Sequence, residues 1–184
     1  MNQEALRSRL LIEMDCVTLD ANQVASSLTA EQLAWQPAPG TWGVGHILEH
    51  LVVTNDAYLK VMRGLIYARD AAHCENGSAG WEPTVSGWLL VSWMRSKWRI
   101  KTKRSLGVRT PRDNVLAAFL ERQNTQVTFL RAAAALEWKK VRLASPVNPV
   151  WRLNLGDAFM VLTVHAQRHI KQMERVRDRP DFPA

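Results

Sequence analysis

Apolar residues return every three or four positions along most of this chain, the period of helices with one buried face. The last long stretch shows it most clearly, with Leu155, Ala158, Phe159, Leu162, Ala166, Ile170, Met173 and Val176 on one stripe. It predicts a helix capped by Asn154 with Asp157 three residues later and running to about Arg177, before Pro180. At the other end, Leu6, Leu10, Ile12 (or Leu11), Met14, Val17, Val24 and Leu28 predict a helix from about Gln3 to Leu28, uninterrupted by Gly or Pro. Thr29 followed by Gln32 adds one capped turn through Leu33, which Pro37, Pro39 and Gly40 close. A second long helix is expected from Thr41 to about Ala68, with Gly43 or Thr41 as its cap and Val44, Ile47, Leu48, Leu51, Tyr58 and Val61 inward. Thr110, Pro111 and Asp113 have the form of an N-cap, an N1 proline and an N3 acid. They predict a third long helix to about Leu136 that buries Val115, Ala118, Phe119, Val127, Leu130 and Ala134.

The pattern loosens between the second and third long helices. Residues His73 to Pro83 have loop composition, and Val85 to Lys101 suits a short helix carrying Trp88, Trp93 and Trp98. Pro146 and Pro149 mark a further loop. Four long amphipathic helices without convincing β alternation predict an all-α fold, an antiparallel four-helix bundle in which strands are not needed. The long link between the second and third helices can cross over the bundle, so simple up-down-up-down topology is not required.

A chain of 184 residues, 47% of them hydrophobic, has the size and apolar content of one domain, residues 1–184. No run of about 18 or more apolar residues occurs, and charges are mixed into the N-terminal residues, so neither a membrane span nor a signal peptide is expected. A cytoplasmic location follows as the expectation. Cys16 and Cys74 are isolated and lack a CxxC spacing, which suits reduced thiols. The net charge of +7 is local: eight of the 24 basic residues lie from Arg95 to Arg112 with no acid among them, leaving 16 against 17 acids elsewhere. Such a patch can attract an anion, with Arg99 and Lys103 near its centre. Without a nucleic-acid motif, nucleic acid is not an expected partner, and a solvated connector is the favoured reading.

Chemistry concentrates in two histidine pairs. His165 and His169 stand four residues apart inside the apolar stripe of the last helix, so both project from one face on successive turns, about 5–6 Å apart at Cβ. A buried imidazole is costly without a partner, and two on one face imply a metal or a hydrogen-bond network. His46 and His50 form a second such pair, between which spacing alone does not choose. His50, placed centrally on the apolar face, is favoured over His46 near the loop. Gln172, one turn beyond His169, faces the same side and can hydrogen-bond a ligand, while Trp42 and Trp151 flank the starts of the two histidine-bearing helices and can wall a pocket mouth. No Ser/His/Asp set, Gly-rich phosphate loop or HExxH motif narrows the chemistry further.

The stretches LAWQPAPGTWGVGHILEHL, Leu33 to Leu51, and LNLGDAFMVLTVHAQRHIKQMERV, Leu153 to Val176, resemble the two signature stretches of the DinB-like superfamily, which includes the YfiT-like proteins. RTPRD is similar to the entry of the third helix in those proteins. The resemblance implies a four-helix bundle, often homodimeric, with a divalent metal held by His50, His165 and His169, and it gives His46 no ligand role. Gly43 departs from the serine common after the tryptophan. Zinc or nickel is the implied metal, with iron or manganese also compatible. Three neutral ligands leave an open position where the pKa of a water falls toward about 7 on zinc, or where a thiol is activated. The implied function is therefore metal-dependent thiol transfer or hydrolysis of a small molecule, with a low-molecular-weight thiol as the expected cosubstrate. The alternative is a non-catalytic binding bundle with a structural or vestigial metal. A carboxylate in the pocket would argue for hydrolysis, and its absence for thiol chemistry or simple binding.

Overall fold

The computed structural model describes residues 1–68, 80–96 and 110–184. Six α-helices are present among them: α1 (Gln3–Ala25), α2 (Ala30–Ala34), α3 (Val44–Ile66), α4 (Val85–Arg95), α5 (Val115–Ala132) and α6 (Leu155–Arg177). The fold is all-α, as the periodicity predicts, and α1, α3, α5 and α6 form the bundle. Both expected capping boxes are formed, Thr29 with Gln32 at α2 and Asn154 with Asp157 at α6.

The topology follows from which ends meet. Glu49 and Asp56 of α3 pair with Arg112, just before α5, and with Arg122 of α5, so these two helices run parallel. Gln3 at the start of α1 donates to Leu136 O beyond the end of α5, which makes α1 antiparallel to α5. Arg177 at the end of α6 donates to Gln23 O near the end of α1, so α1 and α6 are parallel. The order is up, down, down, up. Two consecutive parallel bundle helices require a connection that returns along the whole bundle, which is the crossover between the second and third long helices; α4 lies within it.

Four details differ from the sequence expectations. Helix α5 starts at Val115 with Asn114 as its cap, not at Thr110. The residue read as its second helical position, Arg112, is instead held by Glu49, whose carboxylate accepts from Nε at 2.8 Å, Nη2 at 2.7 Å and the backbone N–H at 3.4 Å. At the other end α5 tightens into a 3₁₀ turn, Ala133–Ala135, which turns Ala133 inward and leaves Ala134 exposed. On α1, Ile12 is 65% exposed, and Leu11 packs against the core in its place. Finally, two short strands occur, β1 (Arg142–Ala144) and β2 (Arg152–Asn154), paired antiparallel with Leu143 opposite Leu153. Three-residue strands are too short to register as alternation.

The apolar core falls into two blocks. One contains Leu6, Leu10 and Met14 of α1, Tyr58 to Ile66 of α3, and α6 up to Val164; the other contains Val17 to Ala25, Val44 to Val52, and α6 from Ala166 onward. Between the blocks lie His165, Thr54 and Asn55, and on α5 the buried Gln123 and Gln126. The bundle thus carries a polar layer at mid-height, level with the histidines of α6.

Candidate metal centre

Helix packing brings His50, His165 and His169 together and leaves His46 out. Antiparallel α3 and α6 set His50 against both α6 histidines, with ring centroids 5.1 Å (His165) and 4.9 Å (His169) apart, and 4.6 Å between His165 and His169. One ring nitrogen from each lies within 4.8 Å of the other two, a group that can hold a metal ion. His50 Nε2 and His165 Nε2 are 3.2 Å apart. Two nitrogens bound tetrahedrally to zinc at 2.0–2.1 Å sit about 3.3 Å apart, so this pair already has the spacing of a shared ion. His46 is equally buried, but its Nδ1 lies beside Gly43, 3.3 Å from where a Cβ there would sit.

Burial holds the two α6 rings, His165 and His169, neutral, the form that binds metal. Burial pushes His165 well below its ordinary value of 6.5, reinforced by charge on His169, His50 and Arg168. His169 is pushed down to about 3, first by burial and then by His50, against an opposing hydrogen bond from Gln172. In that bond, 3.0 Å long, His169 Nδ1–H donates to Gln172 Oε1 and leaves Nε2 with its lone pair. His165 Nδ1, by contrast, is buried without a hydrogen-bond partner among the described residues. Trp42, one residue before the α3 cap, covers the group: its ring is 5.7 Å from His169 and nearly parallel to it, and 4.5 Å from His50.

These histidines form part of the wall of a large cleft. Leu90, Trp93 and Met94 of α4 make one side, Val147, Asn148 and Trp151 of the β1–β2 connection another, and Pro37, Thr41 and Trp42 a third. Both expected pocket tryptophans, Trp42 and Trp151, line it. The cleft exists because α4 is fastened to α6 at both ends. At the start of α4, the cap residue Thr84 donates through N–H (3.1 Å) and Oγ1 (2.7 Å) to Asp157, and Gly87 lies so close that a Cβ would stand 2.2 Å from that carboxyl. At its end, Arg168 donates to Met94 O at 2.8 Å and Ser96 O at 2.6 Å. Burial raises the Asp157 carboxyl above its usual range, the hydrogen bonds from Asn154 and Thr84 opposing.

The cleft also holds residues that the sequence does not single out for the site, Tyr58 being expected only as part of the buried face. Thr54 and Tyr58 line it four and eight positions after His50, a helical spacing that was a usable signal. Tyr58 Oη and Ser145 Oγ share a 2.7 Å hydrogen bond, and burial pushes the phenol up to about 12. Ser145 and Arg168 gave no comparable signal, since their roles depend on the hairpin and on α4. Five cationic residues line the cleft, Arg95, Arg168, Lys171, Arg175 and Arg179, and no carboxylate does among the described residues. The basic patch is represented by Arg95 in the cleft and Arg112 in its pair with Glu49; its other members, Arg99 and Lys103 included, lie outside the described residues, as do Trp98, His73 and Cys74. Cys16 is a free, exposed thiol.

Fold and site together define a helical bundle with a crossover before its third long helix and a three-histidine group between α3 and α6. The chain belongs to the DinB superfamily, whose profile matches residues 18–173 and so covers both histidine-bearing helices. No curated protein and no solved structure matches it. No helix among the described residues is long and apolar enough to cross a membrane.

Proposed function

We propose that His50, His165 and His169 bind a divalent metal ion, zinc or nickel before iron or manganese, and that the protein is a metal-dependent enzyme of small-molecule thiol transfer. The observation that carries this reading is a converging set of three imidazoles, two of them held neutral by burial, in a cleft lined among the described residues by cations and by no carboxylate. When bound, the ion supplies Lewis acidity, which lowers the pKa of a thiol that reaches its open position. Gln172 orients His169, Trp42 shields the histidines from water on one side, and α4 with the hairpin loop encloses the reacting group. Hydrolysis at such a centre commonly uses a carboxylate as general base, and none lines the cleft among the described residues, which favours thiol chemistry. A single domain, a homodimer and a cytoplasmic location belong to the same reading. The first two are tested by cooperative unfolding and by light scattering.

The decisive experiment is elemental analysis of protein purified without a metal-affinity tag, beside a His50→Ala/His165→Ala/His169→Ala variant. Near-stoichiometric metal that vanishes in the variant is the expected result. Turnover of a thiol with an electrophilic acceptor by the loaded protein, absent in the variant, then establishes the activity. Failure to load any divalent ion, with the variant equally stable, would move the function to a non-catalytic binding bundle.

A further inference from the structure

The cationic residues of the cleft are unequally engaged. Arg168 is held by the Met94 and Ser96 carbonyls, and Arg179 by both carboxylate oxygens of Asp181 at 2.7 and 2.9 Å. Lys171 and Arg175 line the same cleft, both exposed, and neither forms an ion pair among the described residues. They stand one turn apart on α6, on either side of Gln172. Like charges at that spacing repel slightly, while Arg175, in the last turn of α6, also complements the helix dipole. Along the axis they lie about 3 and 9 Å beyond His169, at 1.5 Å per residue. On the opposite side of the histidines the cleft is lined by Leu90, Val161 and Leu162, with the hydroxyls of Thr54 and Tyr58. The cleft therefore has a basic arm and a largely apolar arm, with the three-histidine group between them.

We propose that Lys171 and Arg175 form a carboxylate-recognition arm, so that the thiol substrate carries one or more carboxylates within about 9 Å of its sulfur. This rests on the metal-thiol reading above. An Arg guanidinium grips a carboxylate through two parallel N–H donors, and the neighbouring Lys adds a point charge. Three neutral ligands leave a bound dication its full charge, and with no carboxylate along the lining among the described residues the cleft attracts anions. Because both side chains are exposed, solvent and salt limit the gain to about 3- to 10-fold in affinity for the pair.

The test uses cobalt(II)-loaded protein and its visible spectrum, titrated with mercaptosuccinate (two carboxylates), 3-mercaptopropionate (one) and 2-mercaptoethanol (none). Wild type is expected to bind them in that order, with the spread collapsing at high salt. Lys171→Ala/Arg175→Ala is expected to take up cobalt normally and lose the ranking, and Lys171→Glu/Arg175→Glu to favour cationic cysteamine instead. Equal affinities in wild type, or a ranking that survives both double variants, overturn the assignment. If no thiol perturbs the cobalt spectrum, the metal-thiol reading is what fails. Succinate binding by calorimetry then judges the arm alone: binding abolished by the double glutamate variant supports it, and no binding in wild type overturns it.

Discussion

At the scale of single residues, Gln172 shows how little side-chain chemistry is needed to fix the tautomer of a candidate metal ligand. An imidazole has two nitrogens, and the ring presents the right one to an ion only if the other is occupied. Gln172 Oε1 accepts a hydrogen bond from His169 Nδ1–H and so selects the tautomer that leaves Nε2 with its lone pair. Gln172→Leu is expected to weaken metal binding about 10- to 100-fold without unfolding the protein, measured by competition with a chromogenic chelator. Gln172→Glu, which keeps the acceptor, is expected to restore most of the affinity. Unchanged affinity in the leucine variant would show that packing under Trp42 alone orients the ring. Helical spacing already put Gln172 on the site's side of α6, but its partner nitrogen became identifiable only once the rings were placed.

The elements were legible where local rules and tertiary packing agreed. Helix α6 begins and ends as its stripe and capping box predict, because Asn154 and Asp157 act within their own first turn. The start of α5 was misread because Arg112 is taken by Glu49, a partner 63 positions earlier in the chain. Gly43 caps α3, one of the two caps the sequence offers, and its departure from the serine common in similar sequences has a structural reason: a Cβ there would stand 1.7 Å from Trp35 O. The α2–α3 connection passes too close for any side chain, so Gly43→Ser is expected to cost about 1–3 kcal/mol. Urea denaturation reads the loss, and Trp42, the preceding residue, should shift off the histidines. Gln123 and Gln126 interrupt the apolar stripe of α5 yet are buried at helical spacing, so a hydrophobic pattern alone passes over them. Neither Gln126 Nε2 nor its Oε1 has a hydrogen-bond partner among the described residues, and replacing a buried, unmatched amide by a thioether of similar shape should be favourable. Gln126→Met is expected to stabilise the fold by about 1 kcal/mol; a loss instead would mean that the polar layer is bonded in solution and helps fix the bundle's register.

At the scale of the whole molecule, the buried histidines of α6 couple stability to pH, and an ion held by the three-histidine group would couple it to metal. In metal-free protein, His165 and His169 stay neutral when folded, His169 down to about pH 3, whereas in the unfolded chain each takes a proton near its ordinary value of 6.5. Below that value the unfolded state binds more protons than the folded one. Stability is therefore fully present above about pH 6.5 and drains away as the pH falls toward 3, by up to about 1.4 kcal/mol per pH unit for each histidine. Asp157 works in the opposite sense: its raised carboxyl value lets the folded state take a proton first, which offsets part of the loss at the acid end. A bound ion changes the balance because it binds the folded state and needs the same neutral rings. At a free concentration of about a thousand times its Kd it adds about 4 kcal/mol, and acid must then displace it before the rings can protonate. Chelation at pH 7.5 should thus lower the melting temperature, and the gap between loaded and stripped protein should close as the pH drops, since protons compete for the ligands. The His50→Ala/His165→Ala/His169→Ala variant should show no such gap and a flatter acid limb. If stripping leaves the melting temperature unchanged across that range, the centre contributes nothing to the fold. A stripped protein whose stability is level from pH 7 to 4 would mean that the rings protonate in place, against the burial that holds them neutral.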